Sequence, residues 1–257
     1  MKVTVCQLHN EPSQLEKDWD NLVIHCRSNK SDLILLPEMP FYPWIANKTD
    51  IDTSRKQDAI HAHAAWIKRF DEFDDAVVVY SKPEFHQGKF LNTAYLWSKK
   101  TGHLRVHTKY FFPEEEEFYE ATWFDRAPKE FELIEINGLK IGVLLCTEIW
   151  FTQYTRKYGL EGMDLLLCPR ATGKPSTPQW IRCGQTSSVI GGAYCLSSNR
   201  SGIGENNFEW GGSGWIAQPG DGALLGTTSI DSPFLTLEID LQKVKMAKEE
   251  YPLYVKE

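Results

Sequence analysis

No stretch of the 257-residue chain approaches the ~18 consecutive apolar residues that a membrane span requires, so no membrane partner is expected. A basic block is missing as well. The net charge is −7, which removes the electrostatic footprint of a protein that binds nucleic acid or an anionic membrane surface. The six cysteines, at positions 6, 26, 146, 168, 183 and 195, include no CxxC pair, and their scatter argues against disulfides, zinc and dithiol redox chemistry. His61 and His63 would diverge on a helix at that spacing, so no metal site and no cofactor are expected. The opening MKVTVCQLHN lacks the apolar core and cleavage site of a secretory signal, and the expected location is cytoplasmic. With no repeat, linker or shift in composition, residues 1–257 read as a single domain.

What is present is an ordinary balance for a chain that buries a full core, 42% hydrophobic and 25% charged. Short runs rich in branched and aromatic residues read as strands: KVTVCQL, DLILLPE, AVVVYS, LNTAYLWS, FELIEI, LKIGVLLC, MDLLLCP, GAYCLSSN, GWIAQP and FLTLEID. Helices are expected from a Ser13 cap to about Asn29, with Leu15, Trp19, Leu22, Val23 and Cys26 on one face, and at Ala59 to Phe70, Phe151 to Gly162 and Pro178 to Val189. Turns fall at Lys100-Thr101-Gly102, Asn137-Gly138 and Pro219-Gly220-Asp221-Gly222. The mixture implies an α/β unit of strands packed under helices. Phe111 to Glu130, acidic and aromatic without periodicity, reads as a long surface excursion, a kind of segment that often carries function.

Three polar residues stand at the ends of strand-like runs: Glu38 after DLILLP, Lys109 after HLRVHT, and Cys146 after IGVLL. In open α/β architectures strand ends are where side chains emerge into a crevice. Taken singly, each has a plainer explanation. A free cysteine behaves as a small hydrophobe and belongs in a core, a glutamate after a strand caps a helix or is solvated, and one lysine in a loop signifies little.

Together, LPE at Glu38, HTKYFFP at Lys109 and CTEIWF at Cys146 resemble, in order and separation, the Glu-Lys-Cys triad of the nitrilase, or carbon-nitrogen hydrolase, superfamily. The likeness extends over nearly the whole chain. KVTVCQL is similar to the family's first strand, EATWF to its acidic-aromatic element, MDLLLCPRAT to the strand and loop after the nucleophile, and SSNRSG and SGWIAQPGDGALLG to its closing segments. The resemblance implies a four-layer α-β-β-α sandwich of the nitrilase type, a small-molecule substrate with a C–N bond, and a homodimer or higher homo-oligomer. The dimer would form through helices near the nucleophile, with the tail KMAKEEYPLYVKE packed on the partner chain. It also implies a chemistry. Cys146 would attack an amide or nitrile carbon, Glu38 would take and return the proton, and Lys109 with the backbone N–H of Thr147 would face the developing oxyanion.

The family's second carboxylate falls within EEEEFYE, where EATWF favours Glu120 and leaves Glu117 as the alternative. Arg170 resembles a substrate-facing position suited to a carboxylate, and reads equally as a structural ion pair. Trp150, with Phe41, Tyr42, Trp44 and Phe151, could line a pocket or simply pack in the core or an interface. An acid two residues past the cysteine, Glu148, is nitrilase-like, whereas the following Ile-Trp-Phe resembles the amide-cleaving branches. An amide or carbamoyl substrate is the favoured expectation; nitrile hydrolysis, or a non-catalytic scaffold of the same fold, are the alternatives.

Overall fold

Both parities of the central strands are apolar, and each finds its own core. In the computed structural model, which describes residues 1–9 and 11–255, the elements run β1 (Lys2–His9), α1 (Pro12–Asn29), β2 (Leu33–Leu35), α2 (Thr53–Ile67), β3 (Val77–His86), β4 (Lys89–Ser98), β5 (Gly102–Thr108) and α3 (Glu120–Trp123). They continue through β6 (Ile134–Ile136), β7 (Leu139–Val143), α4 (Thr152–Leu160), β8 (Leu165–Pro169), α5 (Thr177–Gly191), β9 (Tyr194–Ser201), β10 (Trp215–Ala217), β11 (Leu224–Thr227), β12 (Phe234–Glu238) and α6 (Leu241–Glu249). The last two residues of the tail, Lys256 and Glu257, lie outside the described residues.

Strands β12-β1-β2-β3-β4-β5 form one sheet and β11-β10-β9-β8-β7-β6 a second, joined where β1 pairs with β9 through Gln7–Asn199, Leu8–Arg200 and His9–Ser201. In the first sheet Val3, Val5, Leu33, Leu35, Val77 and Val79 face inward, and they meet Ile141, Val143, Leu165, Leu167 and Leu196 of the second. The opposite parity packs outward: Cys6, Leu8, Ile34 and Val78 lie with Leu15, Trp19 and Leu22 of α1, while Leu166, Cys168 and Cys195 lie with Tyr158 of α4 and Cys183 of α5. A period of two that is buried on both faces produces this α-β-β-α layering. Two hairpins set the register. Gln87-Gly88 and Asn137-Gly138 both take positive φ, the conformation that a two-residue turn between antiparallel strands demands.

Several expectations are corrected. Glu11 rather than Ser13 caps α1, its carboxylate accepting the backbone N–H groups of Ser13 and Gln14 at 3.0 and 2.9 Å. Helix α2 starts at Thr53 behind an Asp52 cap, six residues before the apolar periodicity becomes visible. The segment from Phe111 to Glu130 is no mere surface excursion. Phe112, Phe118, Tyr119, Trp123 and Phe124 join Trp44, Phe90 and Trp210 in an aromatic cluster. Within it Phe90 stacks on Phe124 with centroids 4.9 Å apart. No helix among the described residues is long and apolar enough to cross a membrane.

Candidate active site

Glu38 and Lys109 follow β2 and β5 of the first sheet, Cys146 follows β7 of the second, and Glu120 opens α3. Chain connectivity therefore delivers the four from two sheets and one loop. All are buried: Glu38 and Lys109 are 0% exposed, Glu120 1% and Cys146 3%. The Lys109 ammonium donates to Glu38 Oε1 at 2.9 Å and to both oxygens of Glu120 at 2.8 and 2.7 Å. Asn92 Nδ2 donates to the same Glu38 Oε1 at 2.8 Å, and the Lys109 backbone N–H reaches the Asn92 carbonyl at 2.9 Å. Glu38 Oε2 is buried with no hydrogen-bond partner. A buried carboxylate oxygen left unpaired is costly, and it is the atom through which a base can accept a proton.

Cys146 begins a single 3₁₀ turn, Cys146–Trp150, with φ of +50°. A residue with a Cβ in this region stores about 1–3 kcal/mol, a strain that clusters at functional sites. Its thiol donates to the Ala171 carbonyl at 3.8 Å. Burial pushes the Cys146 thiol up, Glu38 adds to the rise and Lys109 opposes it. On Lys109 burial acts downward, yet Glu120 and Glu38 more than offset it, and the ammonium stays charged. Burial drives the Glu120 carboxyl upward with help from Glu38, against the pull of Lys109. Two carboxylates around one ammonium thus form a coupled unit.

Sequence reasoning missed a brace beneath this unit. Glu148 is 0% exposed, and its Oε2 lies 2.6 Å from His107 Nε2 while also accepting the Leu145 backbone N–H at 2.9 Å. Its Oε1 accepts the Tyr110 N–H at 2.7 Å. One carboxylate therefore ties the residue before Cys146 to the residues flanking Lys109. Glu148 was visible in CTEIW only as a possible mark of substrate class; two of its partners, His107 and Tyr110, lie 41 and 38 residues away, and no local pattern reveals them. Asn92, inside the strand-like LNTAYLWS, gave no signal either.

The structure separates the remaining candidates. Thr147 is half-buried in the turn behind Cys146. Arg170 is 0% exposed and its guanidinium is already engaged. It donates to Ser197 Oγ at 2.7 Å, Thr172 Oγ1 at 2.7 Å and the Ser213 carbonyl at 2.9 Å, and it lies 4.0 Å from the Trp215 ring centroid. It holds the loop after β8 in place of the carboxylate capture or ion pair expected of it. Trp150 is 46% exposed against Trp180, outside the buried cluster. Phe41 packs under the helices with Trp66, and Phe151 stacks on Phe111 at 3.8 Å, leaving Tyr42 and Trp44 in the aromatic cluster beside the site. Glu117 accepts from Asn206 Nδ2 at 3.0 Å, so of the two alternatives it is Glu120 that meets Lys109. His63 is buried beside the Ala59 carbonyl, and no group of three or more His, Cys, Asp or Glu among the described residues could hold a metal ion.

The carbon-nitrogen hydrolase family model matches residues 2–249, nearly the whole chain. The chain belongs to the carbon-nitrogen hydrolase family. Among solved structures, this carbon-nitrogen hydrolase is similar to one from Helicobacter pylori G27, with a TM-score of 0.86 and 20% identity over 99% of this chain and 94% of that one. It is also similar to an amidase from Nesterenkonia sp. AN1, seen with acrylamide added at its active site cysteine; the TM-score is 0.74 and identity 17%, over 95% of each chain. These likenesses share the sandwich fold. Among curated relatives, the N-carbamoylputrescine amidase of Solanum tuberosum is 24% identical over 165 residues. That stretch is 59% of this chain and spans little more than half, 55%, of the relative.

Proposed function

We propose that this carbon-nitrogen hydrolase cleaves a small non-peptide amide or carbamoyl compound through a thioester on Cys146. One observation carries the reading: a fully buried ammonium held between two carboxylates, one of which keeps an unpaired oxygen and has its backbone N–H on the Arg170 carbonyl at 3.1 Å, next to the Ala171 carbonyl that takes the thiol of a strained cysteine at 3.8 Å.

Glu38 accepts the thiol proton as sulfur attacks the carbonyl carbon, and the C–S bond forms as the carbonyl π pair moves onto oxygen. Lys109 and the backbone N–H of Thr147 receive that oxyanion; one such donor is commonly worth ~10²- to 10³-fold. Collapse of the tetrahedral adduct expels the nitrogen, which takes its proton from Glu38 and leaves as ammonia or an amine. Glu38, again a carboxylate, then deprotonates water against the thioester. The acid is released and the thiol regenerated. Positioned proton transfer of this kind contributes ~10²- to 10⁴-fold. Glu120 keeps Lys109 charged and aimed. The buried triad also speaks against a scaffold role, since ionised groups without a task are costly in a core.

The place of Glu148 removes the nitrile-like reading of the sequence without itself selecting an amide. The acid two residues past the cysteine braces the backbone through Leu145 and Tyr110, so it carries no information on the substrate. The amidase and carbamoyl-amidase names among the relatives support the amide or carbamoyl class. The test is intact mass after mixing with paired amide and nitrile panels. An acyl adduct on the wild-type chain and none on Cys146→Ala is expected, with ammonia released from the amides. Ammonia from the nitriles alone would overturn the amide assignment, and equal turnover by Cys146→Ala would overturn the mechanism.

A further inference from the structure

The turn that presents Glu38 is held against its own preferences. Met39 takes φ of +43°, with Pro37 before Glu38 and Pro40 after Met39, and a strained residue of this kind persists only where its surroundings over-determine it. The prolines bring no N–H. Each other N–H from Glu38 to Phe41 has an acceptor: the Arg170 carbonyl for Glu38 at 3.1 Å, Ser81 Oγ for Met39 at 2.9 Å, and His63 Nε2 for Phe41 at 3.4 Å.

The carbonyls of the turn converge on one side chain. Arg200 donates from Nε to the Glu38 carbonyl at 3.1 Å, from Nη1 to the Tyr42 carbonyl at 3.0 Å and from Nη2 to the Met39 carbonyl. It is 2% exposed, and its guanidinium lies 5.3 and 5.5 Å from the ring centroids of Trp44 and Trp210. A rigid planar fork can span three carbonyls at fixed separations, whereas an ammonium is a point charge on a flexible stem. Arg200 stands on β9, opposite Leu8 in the ladder between the sheets. It therefore belongs to the sheet that carries Cys146, while Glu38 hangs from the other. Through Arg200 and the Arg170 carbonyl, the backbone of the base is referenced to the sheet of the nucleophile.

We infer that Arg200, with Ser81, is the positioning residue of the base: its fork fixes the turn that aims Glu38 Oε2 at the Cys146 thiol. The inference deepens the amide-hydrolase reading and takes the role of Glu38 from it. Two rates are measured. The first is alkylation of Cys146 by iodoacetamide, followed by peptide mass, in which sulfur displaces iodide and the thiol proton passes to Glu38; it needs no amide substrate. The second is ammonia release over the amide panel. Arg200→Lys is expected to alkylate about tenfold or more slowly than wild type, and to lose kcat by a similar factor with KM changed less than about twofold, because the fork acts through Glu38. Ser81→Ala, which removes the Met39 acceptor and little volume, is expected to slow both rates about three- to tenfold. Val23→Ala, in the core under α1, lowers the urea midpoint yet keeps both rates, which separates positioning from loss of stability.

Folded Arg200→Lys that alkylates at the wild-type rate overturns the inference, as does equal slowing in Val23→Ala or a rise in KM at constant kcat. Should Arg200→Lys not fold, Ser81→Ala decides: an unchanged alkylation rate overturns the inference and a slowed one upholds it. Should the wild type turn over no amide, alkylation still decides, so the amide reading falls separately from the role of Arg200. A wild-type Cys146 that resists alkylation altogether and turns over no amide overturns both.

Discussion

Arg69 and Lys109 each sit among carboxylates, the first near the surface with its side chain 27% exposed and the second wholly buried. Arg69 reaches Glu16, Asp20 and Glu72 at 2.6, 2.8 and 2.7 Å, and the side chains of Glu16 and Asp20 are 58% and 61% exposed. Lys109 reaches Glu38 and Glu120 at 2.9 and 2.7 Å with all three side chains at 0–1% exposure. The contact distances are nearly the same, and the energetics are not. Water screens the first cluster, so that an exposed pair contributes ~0–1 kcal/mol. In the second, each charge has lost its hydration and survives only through the others. A surface network can therefore lose a member quietly, whereas the buried one is poised to respond to any charge that develops beside it.

The sharpest way to break that contrast is Lys109→Met. It leaves Glu38 and Glu120 buried without their cation, and a loss of ~3–5 kcal/mol in urea unfolding is expected. Hydrolysis should fall by at least ~10²-fold in ammonia assays on whatever folds. Glu148→Gln comes next. It keeps shape and burial but weakens the charged bonds to the Leu145 and Tyr110 N–H groups, and a ~10- to 100-fold fall in kcat with little change in KM is expected from the ~1.5–3 kcal/mol of such bonds. An unchanged kcat would remove Glu148 from the positioning of Cys146.

Intermediate in burial is the pair of His9 with Asp18, 2.8 Å apart. The hydrogen bond to Asp18 raises the His9 pKa above its ordinary 6.5. A group raised in the folded state stabilises fully below its unfolded pKa, and the contribution is lost as pH rises through the folded value. Wild-type urea midpoints should thus decline relative to His9→Gln as pH passes upward from about 6.5. Smallest of all is Arg69→Met, expected to shift stability by less than ~1 kcal/mol and to leave ammonia release unaltered.

The same contrast explains what could be read from the sequence. The strands were legible as short runs of branched and aromatic residues, because both parities are buried, each against a different layer, as Ile34 and Leu35 show by entering separate cores. Glu38, Lys109 and Cys146 end such runs, which taken singly has a plainer explanation; the resemblance of LPE, HTKYFFP and CTEIWF to a family pattern singled them out, and EATWF favoured Glu120 over its acidic neighbours in the same way. Several elements escaped, the short α3 inside the aperiodic acidic segment among them. Strand β11 is largely exposed, α6 has only Val244 and Ala247 buried, and the first turn of α2 is polar, so none carries a strong period. Arg170 escaped differently, because a guanidinium beside a crevice looks the same on paper whether it faces a ligand or, as here, Ser197, Thr172 and Ser213. Local pattern encodes burial; it does not encode which distant backbone a buried charge will hold.

Glu38 and Lys109 hang from one sheet and Cys146 from the other, and among the described residues the strand ladder that joins the two sheets has three residue pairs, of β1 and β9. A half-formed molecule with a single sheet in place would own a base and a cation without a nucleophile, or the reverse. The return of turnover after dilution from denaturant is therefore a clock for the closing of the sandwich itself, and it should lag behind any signal that reports either sheet alone.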